Sequence, residues 1–114
     1  MEILPKEGRI YVINQPISAN YGIPTMLALL NANSLDVFWN GVDPITIISF
    51  NEKLTLCKIF IVDKHGITCA KRRLRVGRFK YLLRNNLMPT IIKRSELEKL
   101  LQTGTIPRIN KSRY

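Results

Sequence analysis

Between Ile10 and Glu52 this chain has no lysine or arginine, and between Lys71 and Arg84 it has no aspartate or glutamate. Cysteine is scarce. Cys57 and Cys69 form no CxxC pair and are spaced wrongly for a zinc knuckle, and nothing in the sequence requires a disulfide between them. Free thiols in a reducing compartment are the expectation. Histidine occurs once, at His65, where Asp63-Lys-His-Gly66 reads as loop chemistry rather than a metal site. No apolar run approaches the roughly 18 residues of a membrane span. The first nine residues, MEILPKEGR, lack the basic-then-apolar order of a signal peptide. No membrane partner is therefore expected, and the expected compartment is the cytoplasm, or a host nucleus.

Catalytic patterns are missing too. There is no Gly-rich phosphate loop and no Ser/His/Asp or Cys/His arrangement, so no cofactor and no enzymatic activity are expected. Asp36, Asp43, Glu52 and Asp63 fall at or near the ends of expected strands. A metal-dependent nuclease would need them to converge. Asp43-Pro44 and Asn51-Glu52 read first as turns, which leaves that activity a minor alternative.

What the chain does have is segregated positive charge. The 114 residues carry 18 basic and 8 acidic side chains, a net charge of +10. Residues 53–114 hold 16 of the 18 basic residues against three acids, Asp63, Glu96 and Glu98. Seven basic residues lie between positions 71 and 84: Lys71, Arg72, Arg73, Arg75, Arg78, Lys80 and Arg84. Like charges this close repel one another, and a block of one sign is the electrostatic footprint of a polyanion partner. Hydrophobic residues make up 46% of the chain, enough to build a core. Abundant Ile, Leu, Asn and Lys suit an AT-rich genome such as that of a virus, phage or plasmid.

The first half reads as β-rich. Strands are expected at Arg9–Asn14, Leu35–Trp39, Ile45–Phe50 and Leu54–Val62, with Asn40-Gly41 a hairpin turn signal and His65-Gly66 closing the half. Pro24 opens a helix to Asn31. Phe38, Trp39 and Phe50 are expected in the core, with a dimer interface as the alternative. Near the C-terminus, Ser95-Glu-Leu-Glu98 forms a capping box for a helix over Glu96–Gln102 that ends at Gly104. Residues 108–114 form a basic tail.

The basic block reads in two ways. As a helix over 71–86, it sets Val76, Phe79 and Leu83 in one seam. Lys71, Arg75 and Arg78 flank that seam on one side, and Arg73, Lys80 and Arg84 on the other, an arrangement that seats a helix on duplex DNA. As a β-ribbon turning at Gly77, it groups Arg73, Arg75, Arg78 and Lys80 and offers Phe79 and Tyr81 for base stacking. The helix is the favoured reading.

Residues 67–101 resemble the helix-turn-helix of excisionase-type DNA-binding domains. Thr68-x-Ala70 would open a first helix, and Leu74-Arg-Val-Gly77 would be the turn. Leu82-Leu-Arg84 would end a recognition helix and Leu87-Met-Pro89 would be a step. Ile91-Ile-Lys-Arg-Ser95-Glu-Leu97 would begin a closing helix. The spacing from turn to Pro89 is two residues shorter than the family pattern, and the basic wing strand is almost absent. The resemblance implies duplex DNA binding, with Arg78, Lys80 and Arg84 nearest the bases.

The expected fold is α+β: a small antiparallel sheet with two to four short helices and a basic helical C-terminal half. Residues 1–66 form its β-rich core half, residues 67–107 a nucleic-acid-binding half, and residues 108–114 a tail. The expected function is nucleic-acid binding, duplex DNA before RNA, by a regulator or recombination accessory factor of a virus, phage or mobile element. The binding residues would be Lys71, Arg72, Arg73, Arg75, Arg78, Lys80 and Arg84, flanked by Lys93 and Arg94. The alternatives are a viral interaction protein that inhibits an acidic or nucleic-acid-binding host protein, and a single-strand or RNA binder. A homodimer is a further expectation.

Overall fold

Ile45–Phe50 is buried at every position, and Leu56–Val62 likewise. Strands covered on both faces belong at the centre of a sheet with a layer packed on each side. The computed structural model describes residues 8–14, 17, 22–32, 34–35, 37–80 and 89–105. The elements run in the order β1 (Arg9–Val12), α1 (Ile23–Asn31), β2 (Ile45–Phe50), β3 (Leu56–Asp63), β4 (Gly66–Arg73), β5 (Thr90–Ile92) and α2 (Arg94–Thr103). The five strands form one sheet in the order β4-β3-β2-β1-β5. β1 and β2 are parallel, joined through α1, and the other three pairings are antiparallel.

Each face of the sheet carries its own core. On one side Tyr11, Ile13, Ile45, Ile47, Phe60 and Val62 pack with Met26, Leu29 and Leu30 of α1. On the other, Ile10, Val12, Ile48, Phe50, Ile59 and Ile92 pack with Leu97, Leu100 and Leu101 of α2. Among the described residues no helix is long and apolar enough to cross a membrane.

This architecture corrects the expected fold. The sheet is mixed rather than antiparallel, and strands β4 and β5 together with α2 replace the basic helical C-terminal half. Lys71, Arg72 and Arg73 end an edge strand, and residues 74–79 are irregular. The helical reading of 71–86 therefore fails over its described part, and residues 81–86 lie outside it. The ribbon reading fails over its described part as well: Gly77 turns with φ 83°, but residues 74–79 form no strand, and Tyr81 and Leu82 lie outside the described residues.

Other differences have local causes. His65-Gly66 does not close the β-rich half: Asp63 Oδ1 accepts from the amides of His65 and Gly66 at 2.8 and 3.0 Å and turns the chain into the β3–β4 hairpin. Leu35–Trp39 forms no strand. Leu35 and Val37 are buried and Trp39 half-buried, so the alternation comes from packing one side of the segment against the α1-face core. Phe38 is 72% exposed rather than in the core. The α2 cap lies two residues earlier than expected: the Lys93 amide donates to Glu96 Oε1 at 2.8 Å, and Ser95 is inside the helix. Gly104 ends it with φ 79°, as the sequence implies.

Two buried groups make this packing testable. Phe79 is 1% exposed and its ring lies 5.4 Å from that of Phe50. Phe79→Ala is expected to cost about 3–5 kcal/mol, read as a shift in the urea midpoint. Cys57 is fully buried, and burial pushes its thiol up to about 12. Because the folded state holds the neutral thiol, this stability is fully present below the ordinary thiol pKa and is lost as pH rises towards 12. Cys57→Ala should flatten that alkaline loss, measured by denaturation between pH 8 and 11.

Candidate nucleic-acid interface

The strand register lines up the basic residues. Ser49, Lys58 and Lys71 form one row across β2, β3 and β4; Phe50, Cys57 and Arg72 form the next; Leu56 and Arg73 form the last. All lie at the end of the sheet where β2 and β4 finish. The β2–β3 turn closes the same end around Asn51, whose Oδ1 accepts from Thr55 and Leu56 amides at 2.9 and 3.0 Å. Leu54 adopts a left-handed backbone there, φ 59°. Its carbonyl accepts from the Phe79 amide at 2.8 Å, which ties the segment after β4 to this turn.

That segment is held by two apolar anchors, Leu74 and Phe79, packed into the α2-face core. The Lys80 amide donates to the Gly104 carbonyl, and Leu74 packs so closely on Gly104 that a Cβ there would collide with it. Between the anchors the chain turns outward at Gly77, leaving Arg75, Val76 and Arg78 exposed, Val76 by 89%. Of the expected seam, Phe79 is buried, Val76 is exposed and Leu83 lies outside the described residues; the pair that pins the cationic loop is Leu74 and Phe79.

Not every basic residue is equally available. Arg72 Nε donates to the Leu101 carbonyl at 3.0 Å, satisfying an orphan acceptor in the last turn of α2 and placing a cation at the negative end of that helix. Lys71, Arg73, Arg75, Arg78 and Lys80 make no ion pair among the described residues. Lys53 joins them from the β2–β3 turn, and buried Lys58 stands directly across from Lys71. Neither Lys53 nor Lys58 was expected in the site. Lys58 sits inside an apolar run, and only the strand register reveals its neighbour. Burial lowers the Lys58 pKa, the Lys71 ammonium lowers it further, and Cys69 opposes them. Like charges directly opposite each other on a sheet are destabilising.

The acids lie elsewhere. Among the described residues Glu52 alone shares this end, while Asp43 precedes β2 and Asp63 closes the far hairpin. Glu96 and Glu98 belong to the first half of α2, which starts beside the Ile92–Ile10 pair. Lys93 and Arg94 are there too, about 15 Å of helix from the rim. Arg94 Nε lies 3.3 Å from Glu98 Oε1. The structure thus does not bring Lys93 and Arg94 to the cluster. Arg84 and Asp36 lie outside the described residues.

Asp43, Glu52 and Asp63 do not converge, and no group of three potential metal ligands occurs among the described residues. In the helix-turn-helix assignment, Thr68 and Ala70 lie in β4 and Ile91 in β5, so neither position is helical. Leu82–Arg84 and Leu87–Met88 lie outside the described residues. The chain matches no protein-family model, no curated protein and no solved structure.

The Lys58–Lys71 row yields a direct check. Removing the facing charge with Lys71→Met should move the Lys58 pKa upward, because one of the two causes lowering it is gone. A side-chain NMR titration of Lys58 reads the shift; an unchanged value would show that Lys71 does not contribute to it.

Proposed function

We propose that this protein binds nucleic acid through the phosphate backbone, with duplex DNA its preferred form, as a small non-enzymatic regulator or recombination accessory factor. The observation that carries this reading is the cationic rim: Lys53, Lys71, Arg73, Arg75, Arg78 and Lys80 at one end of the sheet, with Glu52 the one acid there among the described residues. Backbone contacts position a protein on a duplex without reading sequence, and the anchored loop suits that role. Single-strand binders add aromatic platforms on which bases stack. The rim offers none among the described residues, since Phe79 and Phe50 are buried against each other.

A second reading, an acidic protein partner, is supported by the same charge on a free edge. β4 is the last strand of the sheet, so an acidic segment has backbone groups to pair with.

Gel retardation over a salt series separates the two. Six exposed cations on the rim should give a slope of log affinity against log salt of about −5 on duplex DNA. The double substitution Arg75→Glu, Arg78→Glu should abolish retardation while leaving the fold intact, because both side chains are exposed. If neither duplex DNA nor single-stranded RNA is retarded at low salt, nucleic-acid binding is rejected and the acidic partner stands.

A further inference from the structure

At the opposite end of the sheet from the rim, on the α1 side, the structure contains a recess of about 420 Å³. Arg9, Tyr11, Phe38, Trp39, Asn40 and Asp43 are among the residues that line it. That volume is in the range of small-molecule sites, where a few polar groups converge on an apolar lining.

The recess is held in shape by its own chemistry. Asn40 Oδ1 accepts from the amides of Val42 and Asp43 at 2.8 and 2.9 Å, and Asn40 Nδ2 donates to Asp43 Oδ2 at 2.8 Å. Trp39 Nε1 donates to the Asp43 carbonyl at 2.9 Å, which fixes the indole against the wall. Across from it, Gly8 has φ 96° and approaches Pro44 so closely that any Cβ would collide with its carbonyl.

Three groups in it have chemistry to spare. Phe38 is largely exposed and so offers a ring face to a ligand. The Arg9 guanidinium has no ion-pair partner among the described residues. Asp43 Oδ1 has no hydrogen-bond partner among them either, its other oxygen being held by Asn40. A flat ring face, a cation and a carboxylate acceptor together fit one kind of ligand: a planar heterocycle that carries both an amino group and an anionic substituent.

We infer that this recess is a binding site for a mononucleotide with an amino-bearing base. The base lies against Phe38 and Trp39, its exocyclic amino group donates to Asp43 Oδ1, and its phosphate meets Arg9. Aromatic stacking is tolerant of ring identity, so the carboxylate supplies the choice between amino and oxo bases. The site is separate from the cationic rim and does not depend on it.

Trp39 is the one tryptophan in the chain, so its fluorescence reports this recess directly. Titration of the full-length protein with AMP and with CMP should give a saturable change in that emission. IMP and UMP, which carry oxo groups in place of the amino groups, should bind about tenfold more weakly, the loss of one hydrogen bond to a charged acceptor. Adenosine, without phosphate, should be weakened by a similar factor, and Arg9→Ala should abolish the difference between AMP and adenosine. Phe38→Ala should weaken all of these ligands. Arg9 and Phe38 are both exposed, so the variants keep the fold, and both should still retard duplex DNA as the unchanged protein does. No saturable change with AMP or CMP up to about 10 mM, or equal affinity for AMP and IMP with Arg9→Ala silent, overturns the assignment. A lost retardation with intact nucleotide binding would reject the rim and leave this site standing.

Discussion

Everything in this molecule follows from the burial of β2 and β3 on both faces. Ile47, Ile48, Ile59 and Phe60 have no contact with water, so each face of the sheet must be covered. The chain meets that demand by sending α1 to one face through the β1–β2 crossover and α2 to the other after β5. Once both faces are occupied, charged side chains can stand only on the outer surfaces of the helices, along the edge strands, or at the two ends of the sheet. The cationic rim is thus the place left for charge by a core that has none to spare. Lys58 is the exception, a basic residue inside the central pair with another ammonium set opposite it.

How legible this was varies with the kind of signal. The central strands announce themselves as β-branched apolar runs, and Pro24 and Gly104 mark helix ends by backbone chemistry that needs no tertiary context. β4 was hidden. Its run of Gly-Ile-Thr-Cys-Ala-Lys-Arg-Arg is half-polar because it is an edge, and such a strand is specified by the neighbour it pairs with more than by its own pattern. The residues after it misled for a different reason. Val76 and Phe79 lie at helical spacing, yet Val76 is in water and Phe79 in the core, because an irregular segment can place an anchor at any interval. A periodic pattern over so few residues does not distinguish a helix from a loop pinned at two points.

The candidate site was visible as composition and invisible as geometry. Charge counts located the block at 71–84, but the partners Lys53 and Lys58 are gathered by the β2–β3–β4 register, which no local window contains. Lys93 and Arg94 were misplaced because nearness in sequence to the block says nothing about which end of α2 they occupy. The recess beside Trp39 carried even less signal. Phe38 and Trp39 read as core residues, and only the exposure of one and the hydrogen bond of the other set them apart.

The separation of charge along the sheet has a consequence for motion as well as for contact. Among the described residues, the rim cations face Glu52 alone at one end, while Asp43, Asp63, Glu96 and Glu98 offset Arg9, Lys64, Lys93 and Arg94 towards the other, so the described charge is asymmetric along the strands. In the field of a polyanion such a molecule would experience a torque before contact, and would turn its cationic end forward within about a Debye length. Productive encounters then need less rotational searching than a uniformly basic protein of the same net charge would require. Orientation becomes part of the arrival, and added salt slows association by shortening the distance over which that turning takes place.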